Sequence, residues 1–112
     1  MATRKARRLT WQDERVPGAP FRIARHVFRP GATLVEHSHE FCEVFWCESG
    51  TGLHRVNGSV KPLNAGDVWF MRARDVHAAE GSAPHGVSFV NVSFQAGELT
   101  QLQRLVPRRE WP

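Results

Sequence analysis

The chain predicts an all-β fold, a barrel or sandwich, finished by one short helix near its C-terminus. Three observations carry this. Short apolar runs rich in Val, Phe and Trp recur at short, even spacing, as strands of a barrel or sandwich do. Seven Pro and nine Gly punctuate those runs. Helical periodicity appears once, where Leu99, Leu102, Leu105 and Val106 recur on one face ahead of Pro107.

The elements follow in order. Residues 1–8 form a basic arm, and residues 9–112 read as one domain. Pro17, Gly18 and Pro20 separate the stretch Leu9–Val16 from a strand at Phe21–Phe28. Arg29-Pro30-Gly31 is a turn, and Thr33–Val35 and Phe41–Glu48 read as strands, the second rich in β-branched and aromatic residues. Gly50-Thr51-Gly52 is expected to break that strand. Leu53–Val56 and Val60–Leu63 flank Asn57-Gly58, the pair a type I′ hairpin prefers because both central residues need positive φ. After the turn Asn64-Ala65-Gly66 come strands at Asp67–Arg72 and Val76–Ala79, a loop at Gly81–Gly86 and a strand at Val87–Phe94. The helix is expected over about residues 97–106.

Charge disfavours one function class. The net charge is +4, with 15 Lys and Arg against 11 Asp and Glu. Arg4, Lys5, Arg7 and Arg8 stand in the arm without an acid, so residues 9–112 carry 11 bases and 11 acids. A neutral body disfavours nucleic-acid binding, and the arm reads as a solvated tail. The 112 residues leave room for one domain, not for a two-domain enzyme or for a DNA reader with a separate sensor domain. Apolar runs are a few residues long, as in Val68-Trp69-Phe70-Met71, too short to span a membrane. Cys42 and Cys47 are an odd number of residues apart, so on one strand they face opposite sides and do not bridge. No apolar segment follows the arm, and a reducing cytoplasm is the expected location.

The stretch from Gly31 to Gly50 carries the chemistry. His37 and His39 are two apart, so on a strand both imidazoles project to one face. Glu43 has the same parity and faces inward too if the strand continues. Two imidazoles and a carboxylate converging on one point make a ligand set for a divalent metal. His77 could add a third imidazole from a neighbouring strand. A lone His-x-His pair also occurs as surface decoration, so the context decides.

That context is a pattern of spacings. Gly31, five residues, His37, one, His39, three, Glu43, six, Gly50 resembles the first motif of the cupin superfamily at every position. Gly66, five residues, Arg72-Ala73-Arg74, two, His77, three, Gly81 resembles the second. In it Arg72 and Arg74 replace the usual proline and glycine, and Gly81 the usual asparagine. The resemblance covers about residues 21–94. It implies a double-stranded β-helix, or jelly-roll, barrel with a divalent metal (Fe, Mn, Ni, Co or Zn) held by His37, His39, Glu43 and His77. Among cupins the chain is most similar to the sensor barrel of AraC-type transcription regulators. It stops short of the DNA-binding domain those proteins append.

The resemblance therefore implies a binding or sensor module for a small polar or acidic molecule, such as a sugar or acid. A small dioxygenase, isomerase or lyase using the same metal is the alternative. Four protein ligands fill a tetrahedral zinc but leave two open positions on an octahedral ion. A homodimer is also implied, with Leu9–Val16 adding as a strand to a partner's sheet edge. Among the remaining residues, Arg72 and Arg74 are either cations at the pocket mouth or solvated charges. Phe45, Trp46, Trp69, Phe70, Phe89 and Phe94 read mainly as core, with Trp69 and Phe89 able to line a pocket. His54 could face the pocket but reads first as a surface or hairpin residue, His26 and His85 read as surface, and Cys47 as core. Glu36, Glu40 and Arg55 read as solvated.

Overall fold

The computed structural model describes residues 7–105. Residues 1–6 of the basic arm lie outside that span, as do Val106 and Pro107. The described chain runs β1 (Arg7–Leu9), α1 (Trp11–Glu14), β2 (Phe21–Phe28), β3 (Thr33–His39), β4 (Cys42–Val56), β5 (Ser59–Asn64), β6 (Val68–Met71), β7 (His77–Gly81), β8 (Val87–Phe94) and α2 (Ala96–Leu105). The strands form one curled sheet in the order β1-β3-β7-β4-β8-β2, with β5 and β6 also paired to β4. This is the predicted all-β architecture, and α2 falls where the leucine spacing puts it.

The curl is made by β4. Its first half pairs with β8 and β6, and its second half with β7 and β5. The crossing point is Gly50-Thr51-Gly52, expected to end the strand. The strand instead continues through it and bends. A Cβ on Gly50 would lie 1.9 Å from the Gly86 carbonyl oxygen, and one on Gly52 would lie 2.4 Å from the Glu80 carbonyl oxygen. Gly50 also has φ +80°. Glycine is needed here for close backbone approach at a corner of the sheet, rather than for termination.

The two halves enclose one core of Phe45, Cys47, Leu63, Met71, Ala79, Val87 and Phe89. Cys42 and Cys47 are buried free thiols. The Asn57-Gly58 hairpin is as read: both residues have positive φ (49° and 86°), and Val56 pairs with Ser59 across it.

The N-terminal stretch corrects an expectation. Arg7–Leu9 pairs in parallel with β3 of its own chain, Arg7 opposite His37 and Leu9 opposite His39. Trp11–Glu14 then makes a single helical turn, capped by the Thr10 hydroxyl accepting from the Asp13 amide at 3.2 Å. The Trp11 amide donates to Glu40 Oε1 at 2.7 Å, and its indole packs edge-on to Phe41 at 5.6 Å. Leu9–Val16 is therefore not a strand offered to a partner, because Thr10 starts a helical turn and Trp11 is drawn into the core. The edge it covers is that of β3, the strand bearing His37 and His39.

Candidate metal centre and its cavity

β3 continues to His39, further than the predicted Thr33–Val35, and its pairing with β7 shifts register between Leu34 and His37. His37 and His39 sit at its end. The chain turns at Glu40 and Phe41, so Glu43 lies on β4 and not on a continuation of the same strand. His77 opens β7 directly opposite His37. A turn built on the buried Asp75 sets that start. The Asp75 carboxylate accepts from the Arg72 amide at 2.8 Å, from the Arg72 guanidinium at 3.1 Å and from the Asn57 amide at 3.1 Å. Asn57 Oδ1 in turn accepts from the Val76 amide at 2.9 Å.

The three imidazoles converge. His37, His39 and His77 each present a ring nitrogen, and these lie within 4.8 Å of one another. His37 Nδ1 faces the Val35 carbonyl at 2.9 Å and His39 Nδ1 the Phe41 carbonyl at 3.0 Å. A carbonyl only accepts, so each Nδ1 carries the proton. Each Nε2 lone pair is then free toward the centre, the tautomer that metal ligation requires. Burial also keeps His39 and His77 neutral. Desolvation lowers His39 to about 4, and desolvation reinforced by the neighbouring histidines lowers His77 to about 2. Glu43 stands beside the group, with Oε2 3.5 Å from His39 Nε2. Desolvation raises its carboxyl to about 7, against the opposing pull of Asn91 and Arg22.

The site opens into a cavity of about 560 Å³. His37, His54, His77 and Glu43 line one side, while Arg22 and Asn91 add polar groups from β2 and β8. Asn91 is 6% exposed, and its Oδ1 has no hydrogen-bond partner. A buried acceptor without a partner inside a cavity is a natural contact for a ligand donor.

Several residues differ from their sequence reading. His54 is 0% exposed, with its Nε2 2.9 Å from His77 Nδ1. His26 is half-buried against Phe28 and Phe89 and lines the cavity. The signal for His54 was parity: on β4, Gly52, His54 and Val56 share the inward face while Leu53 is exposed. For Asn91 it was the shared parity with Phe89, which also lines the cavity. Trp46 and Phe70 are exposed, not core. Arg72 is held by Asp75, and neither it nor Arg74 lines the cavity. His85 is exposed, as read.

The curled β-sheet carries a histidine cluster on its inner wall. The chain belongs to the cupin family: the model of the cupin domain matches residues 24–93. It is 41% identical over 81 residues to the HTH-type transcriptional activator RhaR of Yersinia pseudotuberculosis, covering 70% of this chain and 27% of that protein. It is 33% identical over 85 residues to the activator RhaS of Salmonella arizonae, covering 72% and 30%. The chain thus spans under a third of the length of these curated relatives. Among solved structures, a predicted oxalate decarboxylase of Thermotoga maritima superposes with a TM-score of 0.62 at 28% identity, covering 65% of this chain and 64% of that one. A cupin protein of Bacteroides fragilis superposes at 0.68 and 20% identity over 87% and 83%, a likeness of fold alone.

Proposed function

We propose that the chain is a metal-holding sensor barrel that binds a small polar or acidic molecule in its cavity. The observation that carries this is the convergence of three buried imidazoles, their ring nitrogens within 4.8 Å of one another, beside a roughly 560 Å³ cavity. In this reading His37, His39 and His77 hold a divalent cation, with Glu43 as the fourth ligand. Fe, Mn, Ni or Co would keep two adjacent positions open toward the cavity, whereas Zn would be closed by the four. Arg22 supplies a cation for an acidic ligand, and Asn91 Oδ1 an acceptor for a hydroxyl. The activators RhaR and RhaS, which match this chain over the barrel only, support a sensing role.

Metal content after growth in iron- or manganese-supplemented medium tests the site, and a thermal-shift screen of sugars and small carboxylic acids tests the cavity. One metal per chain and a ligand recovered unchanged are expected. Loss of no metal in His39→Ala would refute the ligand assignment.

A second reading, a small metal-dependent dioxygenase, isomerase or lyase, is favoured by one observation: the likeness to a predicted oxalate decarboxylase. Product analysis after long incubation with the metal-loaded protein separates the two.

The reading extends to location and assembly. Both cysteines are buried thiols, which suits a reducing cytoplasm. Self-association is assigned to the outer face of β2, β8, β4 and β6. There Ile23, Val92, Val44 and Phe70 form one cross-strand row and Trp46 stands next to Val68 in the adjoining row. Ile23 is 70% exposed and Val68 69%. Arg25 lies in that adjoining row, paired with Glu48, and a two-fold contact would lay the apolar rows on their own copy with this ion pair at their margin.

A further inference from the structure

His54 and His77 form a buried pair that the ligand set leaves unexplained. His54 Nε2 lies 2.9 Å from His77 Nδ1, and His77 Nε2 lies 3.2 Å from His39 Nε2. All three rings are buried, at 0–4% exposure, and burial favours the neutral imidazole. Each ring therefore carries a single proton, and the partners determine where it sits.

The order is set from one end. The Phe41 carbonyl accepts from His39 Nδ1–H at 3.0 Å, so His39 Nε2 is a bare lone pair. It accepts from His77 Nε2–H. His77 Nδ1 is then a lone pair and accepts from His54 Nε2–H. His54 Nδ1 is left as an acceptor, and among the described residues it is the one buried ring nitrogen with no partner. The His54 imidazole sits among rings, its centroid 5.1 Å from that of Phe45 and 4.5 Å from that of Trp69, edge-on to both. An orphan acceptor is tolerated there better than an orphan N–H donor would be. A single backbone carbonyl thus orders the protons of three buried histidines.

We infer that His54 is a positioning residue that sets the tautomer of His77 and thereby tunes how readily His77 can ligate a divalent cation. The inference rests on the proposed metal site. For His77 to ligate through Nε2, its proton must move to Nδ1. His54 Nε2 must then become the acceptor, and the His54 proton must move to Nδ1. Each ring keeps one proton, so the shift balances within the pair. It ends with a donor facing Phe45 and Trp69, the less favourable arrangement. His54 therefore has two settings, one matching the metal-free order and one matching ligation.

Long-range ¹⁵N–¹H spectra of the full chain labelled with ¹⁵N-histidine test this directly. In the metal-free protein His77 is expected to carry its proton on Nε2, and with Zn(II) on Nδ1, with His54 reversing in step. Zn(II) affinity is then measured by chelator competition. His54→Phe offers no partner to His77 and should bind Zn(II) about 10–100-fold more weakly, the range for losing an outer partner of a ligating histidine. His54→Gln, whose amide can either donate or accept, should stay within about threefold of the native protein. Thermal melts confirm that both variants fold. A metal-free His77 protonated on Nδ1, or His54→Phe binding within about threefold of native, would overturn the role given to His54. Failure of the native protein itself to bind Zn(II) would overturn the metal reading. The metal-free spectrum would still decide whether His54 donates to His77.

Discussion

The inner wall and the outer face of this sheet invert the usual distribution of polarity. Inside, His39 and His54 are 0% exposed and Glu43, His77 and Asn91 are buried with them. Outside, Ile23, Val27 and Val68 lie open, with Phe21, Trp46 and Phe70 beside them. Burying polar groups is unfavourable unless they are paired, and open apolar surface is unfavourable in water. In the proposed reading each marks a contact: the inner wall with a cation and a ligand, the outer face with a second copy. The two kinds of residue share the same strands, because alternate positions face opposite ways.

The comparison breaks most visibly at the inner wall. His39→Ala removes a proposed ligand and the acceptor of His77, so metal affinity should fall by at least about 100-fold in chelator competition. If affinity is unchanged, the buried histidines are not there for a cation.

Next in size is the turn that places His77. Asp75→Ala removes the acceptor for Arg72 and Asn57, and should lower stability by about 1–3 kcal/mol in denaturant unfolding. Its acid dependence has a definite direction. Desolvation raises the Asp75 carboxyl, but the hydrogen bonds from Arg72 and Asn57 outweigh it and hold it at about 2. A carboxyl lowered in the folded state stabilises fully above its usual value of 3.8 and loses that contribution as pH falls through about 2. The native protein should lose this increment of stability on acidification, and Asp75→Ala should not.

On the outer face, Ile23→Lys should weaken self-association about tenfold in analytical ultracentrifugation and leave monomer stability within about 0.5 kcal/mol. Equal association of the two proteins would remove the outer face from the interface. The smallest effect belongs to the exposed ion pair on that side. Arg25 Nε meets Glu48 Oε1 at 2.7 Å, yet solvent screens both groups. Glu48→Gln should leave the melting temperature unchanged within error. A clear drop would show that this edge is covered in solution.

The inner wall was half legible from spacing. His37, His39 and His77 occur at separations that recur in a family, and they do come together. Glu43 comes near them, 3.5 Å from His39, but from β4 after a turn and not along one strand as the parity argument expected. His54 was hidden because a polar residue beside a hairpin looks exposed until its strand has a register. Its burial follows from pairing opposite Ala79 on β7, a long-range fact. Trp46 and Phe70 misled in the opposite sense, since aromatic side chains look like core on any strand.

The sequence by itself determined the strand-and-turn order, the Asn57-Gly58 hairpin, the C-terminal helix and three of the imidazoles. All of these depend on residue type and short spacing, which govern local backbone preference and side-chain parity. Tertiary structure decided that Gly50–Gly52 bends β4 rather than ending it. It also folded the N-terminal stretch onto β3 of its own chain, joined His54 to His77 and turned the apolar row outward. Those outcomes depend on which distant strands pair and in what register. A one-residue change of register moves every side chain to the other face, so they are fixed only when the sheet closes.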